Sequence, residues 1–244
     1  MRRKSLTMIL LSAVLLFNLS AVAVAAEDKQ FPEMGCLEFW EDYYSYENQQ
    51  EVQQLNNKVE NFVQSKKLLR SGMAKNLSVP IHKQETTYSC GAASVRMVLE
   101  YKTGTDYGET SLASDMGTQE GIGTHIDNIV SKLNTELGSG SYKKVSTSDI
   151  SFGSGIMYSI EKDRPIICHI RTGTPLPNYS SAGSSGHYIV AKGYYFNAQA
   201  GEGSSTVTYH DPHYNDSHYG TYTTSIEIMV QALNNRYGLY VMSE

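Results

Sequence analysis

The chain has 244 residues, of which 40% are apolar and 18% charged, and a formal net charge of -5. This length and composition exclude wholesale disorder and suit one packed domain with an extension, or two small domains. The acidic balance supplies no electrostatic footprint for nucleic acid or for an anionic membrane surface.

The first 26 residues read as an export signal. Met1-Arg2-Arg3-Lys4 is a basic start, residues 8–17 form a short apolar run, and Ala23-Val24-Ala25 fits a small-residue cleavage site. The run is short for a spanning helix and has processing-type flanks, so cleavage near residue 25 or 26 is expected. The mature protein is then expected to keep no stable membrane anchor and to be secreted or otherwise extracytoplasmic.

Residues 27–78 form a polar zone, rich in Gln, Asn and Lys and without strand character. Within it, Val52, Leu55, Val59 and Phe62 fall on one stripe of a helix expected over about 47–70, with Gly72 as a stop signal. Such a stripe needs a surface to cover it, together with the aromatic cluster Phe39, Trp40, Tyr43, Tyr44 and Tyr46. The zone therefore reads as a helical extension packed on the domain, as a propeptide covering a cleft, or as a flexible arm.

Residues 79–244 carry the strands, glycines and motifs. From Ser89 to Gly104 the chain is apolar nearly all round, which predicts a central buried helix. A Gly-rich middle follows, with a helix expected over about 124–133. Strands are expected over 165–170, 187–195, 206–210 and 237–242, and a helix over 225–233. One helix followed by an antiparallel set of strands is an α+β arrangement. The 18 tyrosines, against 6 Phe and 1 Trp, fit either a Tyr-biased β surface or rings at wet clefts.

The segment from Gln84 to Ser94, QETTYSCGAAS, is the most informative. Cys90 stands at the first turn of the buried helix, where unpaired N–H groups and the positive dipole end favour a thiolate. Taken alone, a cysteine at a helix start is more often a buried structural residue than a catalytic one. Gln84, on the loop leading into the helix, offers a side-chain amide to an oxyanion beside the Cys90 N–H. A general base must come from elsewhere. His187 opens the apolar strand GHYIVAKGY after the Ser/Gly-rich loop SSAGSSG. Asp211 ends the next strand, TVTYHDPH, where Pro212 stops the strand and holds the carboxylate at its end. An Asp-Pro turn without chemistry is the alternative.

In this order, the motifs around Gln84 and Cys90, around His187, and at Asp211-Pro212 resemble the bacteriocin-processing, double-glycine-type peptidase family of the papain-like superfamily. The resemblance covers roughly residues 79–244. It implies a papain-like fold, with the cysteine-bearing helix packed on an antiparallel sheet; the N-terminal helical extension, residues 27–78, lies outside the resemblance. It also implies a bacterial cysteine peptidase acting on a peptide or protein substrate, with Cys90 as nucleophile, His187 as base, Asp211 as orienter and Gln84 as oxyanion donor. No cofactor is called for. Members that process bacteriocin leaders precede an ATP-driven exporter, whereas this sequence has no G-x4-G-K-[ST] motif and no spanning segment.

Four further readings are weighed on sequence. The same triad serves acyl transfer to an amine, as in transglutaminases or phytochelatin synthases, because only the acceptor differs. A papain-like cleft can also bind without turnover. His210, Asp211, His213, Asp216 and His218 crowd together, but their spacing matches no common zinc pattern, so a polar loop is expected there and no metal. Finally, with three cysteines and Cys90 free, Cys36 and Cys168 either pair or stand as isolated small apolar residues.

Overall fold

The computed structural model describes residues 46–67, 72–173, 175–197 and 204–244. The export signal, the aromatic cluster up to Tyr44 and Cys36 lie outside the described residues. Helices are α1 (Tyr46–Lys67), α2 (Cys90–Thr103), α3 (Glu109–Asp115), α4 (Ile126–Leu137), α5 (Phe152–Glu161) and α6 (Ile226–Asn234). Strands are β1 (Met73–Asn76), β2 (Tyr142–Ser146), β3 (Ile166–Gly173), β4 (Ala182–Phe196), β5 (Thr206–Asp211), β6 (Gly220–Ser225) and β7 (Leu239–Ser243). No described helix is long and apolar enough to cross a membrane.

The strands form one sheet in the order β2-β7-β3-β4-β5-β6, and every pairing is antiparallel. The long β4 organises it. One edge of β4 takes β3 and then β1, and the other takes β5. The fold is the expected α+β class, with α2 against β4 and flanked by α3 and α4.

Residues 90–95 and 97–99 of α2 are all buried. The helix is therefore central, as its all-round apolarity requires. Gly104 ends it in the left-handed region (φ 73°), its N–H bonding to the Glu100 carbonyl. A residue with a Cβ would be strained there. Ser225 caps α6 by accepting from the Ile228 N–H at 3.1 Å.

Helix α1 packs on α5, an element that carries none of the four candidate residues. The buried stripe is Val52, Leu55, Val59 and Val63, each no more than 5% exposed. Phe62 is half-buried beside it, its ring meeting Tyr158 edge-on at 5.6 Å. A step of four from Val59 stays closer to the seam than a step of three, so Val63 takes the place expected for Phe62. The zone 27–78 also holds a strand, contrary to expectation: Met73–Asn76 pairs with Gly193–Phe196 of β4. The tyrosines are not mainly a surface feature. Tyr142, Tyr209 and Tyr240 are fully buried, and Tyr188, Tyr209 and Tyr240 each donate a buried hydroxyl hydrogen bond.

Candidate active site

Cys90 opens α2 and is 7% exposed. Gly91 is required immediately after it. A Cβ there would lie 2.6 Å from Thr124 Oγ1 and 2.7 Å from Thr124 Cβ, so the helix start is pressed against the turn that precedes α4. The loop into α2 is pinned at two points. The Gln84 N–H donates to the Pro212 carbonyl at 2.7 Å, and the Glu85 N–H donates to the buried Glu109 carboxylate at 2.7 Å. The first of these ties the Gln84 loop directly to the end of β5, which carries Asp211.

His187 lies in β4 opposite Ile170 of β3 and is 3% exposed. Its Nε2 donates to Asp211 Oδ1 at 2.8 Å. That leaves Nδ1 free of Asp211, and the Cys90 side chain is among the groups that favour the charged imidazole. Burial opposes the imidazolium. The charge of Asp211, its hydrogen bond and Cys90 together outweigh that, and the His187 pKa is raised. Asp211, fully buried, is displaced the opposite way. Burial disfavours its charge, but His187 and the Tyr179 and His213 donors hold the carboxyl below its usual range.

The surroundings of Asp211 were not legible in the sequence. Oδ2 accepts from Asn178 Nδ2 (2.8 Å) and from the Tyr179 hydroxyl (2.8 Å), and Oδ1 also accepts from the His213 N–H (2.9 Å). Asn178 is itself held: its Oδ1 accepts from the Tyr209 hydroxyl at 2.8 Å, and its Nδ2 also reaches the His218 carbonyl at 3.1 Å. Four donors on two oxygens give a carboxylate that can neither rotate nor readily protonate. Glu109, which fixes the loop before Cys90, was likewise unforeseen.

Gln84 is 4% exposed, and its Nε2 donates to the Thr86 carbonyl at 2.6 Å. One amide proton is thus committed locally and the second is left over. The four candidate residues are brought together by one helix start, its entry loop and two paired strands.

Among the described residues the histidines around Asp211 bring no three ligand atoms together, although the His213 and His218 rings meet edge-on at 4.9 Å. His210 uses Nε2 on the Val79 carbonyl (3.0 Å) and Nδ1 on the Thr221 hydroxyl (2.8 Å). His213 Nδ1 accepts from the Asn215 N–H, and His218 Nδ1 faces the Asn178 carbonyl at 2.6 Å. His213 lies beside the site, 5.4 Å from the His187 ring. Burial and the charge of His187 push its pKa down to about 4. The His, Cys, Asp and Glu ligand atoms that do come together in the described residues are those of His82, Glu100 and Asp106, within 4.8 Å of one another. Asp106 there is already held by a two-pronged Arg96 contact at 2.7 and 2.6 Å. A guanidinium at that place disfavours a cation. Cys168, in β3, is a free thiol without exposure, and burial pushes its pKa up. A buried neutral thiol of that kind behaves as a small apolar residue.

A thiol at a helix start, an imidazole on the facing strand and a carboxylate behind it constitute the working parts of a cysteine hydrolase of papain type. The Peptidase_C39 like family model matches residues 76–241, well over half of the chain, so the chain belongs to that family and is a cysteine peptidase. Similar solved structures include a double glycine motif protease from an AMS/PCAT transporter in complex with the leader peptide. It is 19% identical, with a TM-score of 0.42, over 68% of this chain and 91% of that one. The peptidase domain of Streptococcus ComA, a bi-functional ABC transporter involved in quorum sensing, is 21% identical with a TM-score of 0.40, over 66% and 94%. No curated protein matches the sequence.

Proposed function

We propose that the protein is an exported peptidase that cleaves peptide bonds through Cys90, His187 and Asp211, with Gln84 in the oxyanion hole. The Cys90 sulfur attacks the scissile carbonyl with its proton carried by His187. His187 then returns that proton to the departing amine, and the peptide C–N bond breaks to leave a thioester on Cys90. Water, giving its proton to His187, attacks the thioester; the carboxylic acid product leaves and the thiol is restored. Asp211 keeps the imidazole turned and its Nε2 protonated throughout. The second Nε2–H of Gln84 and the Cys90 N–H serve the oxyanion, a donor of this kind contributing about 2.7–4 kcal/mol in the transition state.

The observation that carries this reading is the buried His187–Asp211 pair at 2.8 Å, with the Gln84 loop bonded to the end of β5 beside it. The test is incubation of the mature protein with a peptide library, with and without an added amine, followed by mass spectrometry. Cleavage that disappears in Cys90→Ala and in His187→Ala supports the reading. Adducts with the amine in place of cleavage would make it a transferase, and turnover surviving in Cys90→Ala would end it. Export rests on the first 26 residues, and an N-terminus near residue 26 or 27 in protein recovered from culture medium is the outcome expected.

A further inference from the structure

Against Gly186, the residue before His187, lies a second polar group that the peptidase chemistry does not use. Arg236 follows α6 in the turn toward β7 and is only partly exposed. Its guanidinium carbon lies 4.5 Å from the Tyr237 ring centroid. It reaches so close to the residue before His187 that a Cβ on Gly186 would lie 2.9 Å from Arg236 Nε and 3.1 Å from Cζ and Nη2. Glycine at 186 is therefore the residue that admits this side chain. Among the described residues no carboxylate pairs with Arg236 and no acceptor takes its Nε, which is buried and without a hydrogen-bond partner.

His169, in β3 and 8% exposed, belongs to the same group. Its ring stacks on Tyr188 (4.5 Å, 17°) and lies 5.9 Å from Tyr237. Its Nδ1 is a second buried atom without a partner. Burial, Arg236 and His187 keep this imidazole neutral, its pKa pushed down to about 3. Two buried unpaired nitrogens, one on a guanidinium lacking any counter-charge, are costly in a folded protein. A planar guanidinium fixed over an aromatic ring presents a fork that matches a carboxylate.

We propose that Arg236 and His169 form a carboxylate-binding subsite next to His187, which holds an acidic group of the substrate close to the scissile bond. The carboxylate is either an acidic side chain or the peptide's own C-terminus. This proposal rests on the peptidase reading above.

The experiment uses two matched peptide pairs. One pair is blocked at both ends and differs by Glu against Gln near the bond cut. The other differs by a free acid against an amide at the C-terminus. Cleavage of any of them that is lost in Cys90→Ala establishes the peptidase reading separately. The wild-type protein is expected to prefer the acid over the amide in one pair by about 10- to 100-fold in kcat/KM, mainly through KM. Whichever pair shows the preference identifies the source. In Arg236→Gln the preference is expected to collapse, and in Arg236→Lys to return in part. Should Arg236→Gln fail to fold, the wild-type acid-to-amide ratio and Arg236→Lys decide alone. Should no peptide be cut, calorimetric titration of Cys90→Ala with the same pairs gives the affinity ratio directly. Equal handling of acid and amide in both pairs, or a preference unchanged in Arg236→Gln, would overturn the proposal.

Discussion

Replacing Asp211 with Asn separates the carboxylate's charge from its shape. The carboxylate accepts two hydrogen bonds on each oxygen, from His187 and His213 on one and from Asn178 and Tyr179 on the other. An amide keeps only one accepting oxygen. If its NH2 faces Asn178 and Tyr179, two buried donors lose their acceptor. Each such loss costs about 1–3 kcal/mol, so roughly 2–6 kcal/mol of stability should go. If the NH2 faces His187 instead, the imidazole must accept on Nε2 and carry its proton on the side of Cys90, the wrong tautomer for a base. That loss is expected to lower kcat by up to about 10⁴-fold. The two outcomes also differ with pH. His187 is raised in the folded protein, so its ion pair contributes stability fully present below the unfolded pKa of about 6.5 and lost as pH rises through the higher folded value. Asp211 is lowered, so its share is present above about 3.9 and lost as pH falls through the folded value. The stability gap between wild type and Asp211→Asn should therefore be largest near pH 5–6 and shrink toward strongly alkaline pH. Without the carboxylate, burial wins, and the alkaline limb of the pH–rate profile should move downward. Urea unfolding at pH 6 and at pH 10, and kcat/KM for a cleaved peptide across the same range, are the assays. A variant with wild-type stability at pH 6 and an unmoved alkaline limb would refute the electrostatic argument.

The remaining predictions concern single contacts. Iodoacetamide should modify Cys90 far faster than Cys168, which is without exposure and kept protonated by burial; peptide mapping that finds Cys168 labelled first would contradict this. Gly91→Ala should cost about 1–3 kcal/mol and slow Cys90 alkylation, because its Cβ meets Thr124 at 2.6–2.7 Å. Thr124→Gly in the same chain should recover part of both, and a purely additive double-mutant cycle would show that the contact is not the cause. Val59→Ala should lower stability by about 1–3 kcal/mol without speeding Cys90 alkylation, since α1 is covered by α5. A truncation removing α1 that stays stable and alkylates faster would instead make the extension inhibitory.

The elements that carry the chemistry were legible because their signals are local. Helix α2 is apolar all round and stops at Gly104. β4 and β5 hold apolar runs bounded by glycine and proline, and Cys90 and Asp211 mark element ends; His187 opens only the apolar part of β4, because Ala182–Gly186, expected as loop, continue the strand against β3. What escaped has physical reasons. Helix α5 holds Gly153 and Gly155, which weaken its helical signal. Gly155 is there because a Cβ would meet the Tyr240 hydroxyl at 2.7 Å, a demand that only the folded sheet reveals. β2 carries Lys143 and Lys144 at an edge of the sheet, so it lacks a buried strand's apolar run. β1 is four residues long and exists as a strand only through its pairing with β4. Asn178 and Tyr179 sit between β3 and β4, where polar residues are ordinary, and their role depends on β5 bringing Asp211 to them. Arg236 is similar: nothing local distinguishes it from any turn arginine after a helix.

The order of these parts along the chain has a kinetic consequence. During synthesis Cys90 emerges well before either partner. His187 and Asp211 come later, and their contact spans 24 residues and depends on β4 meeting β5. Asp211 cannot be buried until the loop with Asn178 and Tyr179 closes over it and the Gln84 loop bonds to Pro212. Assembly therefore waits on non-local pairings, the slow class of folding event. Until those pairings form, the chain carries a cysteine without the imidazole proposed to serve it.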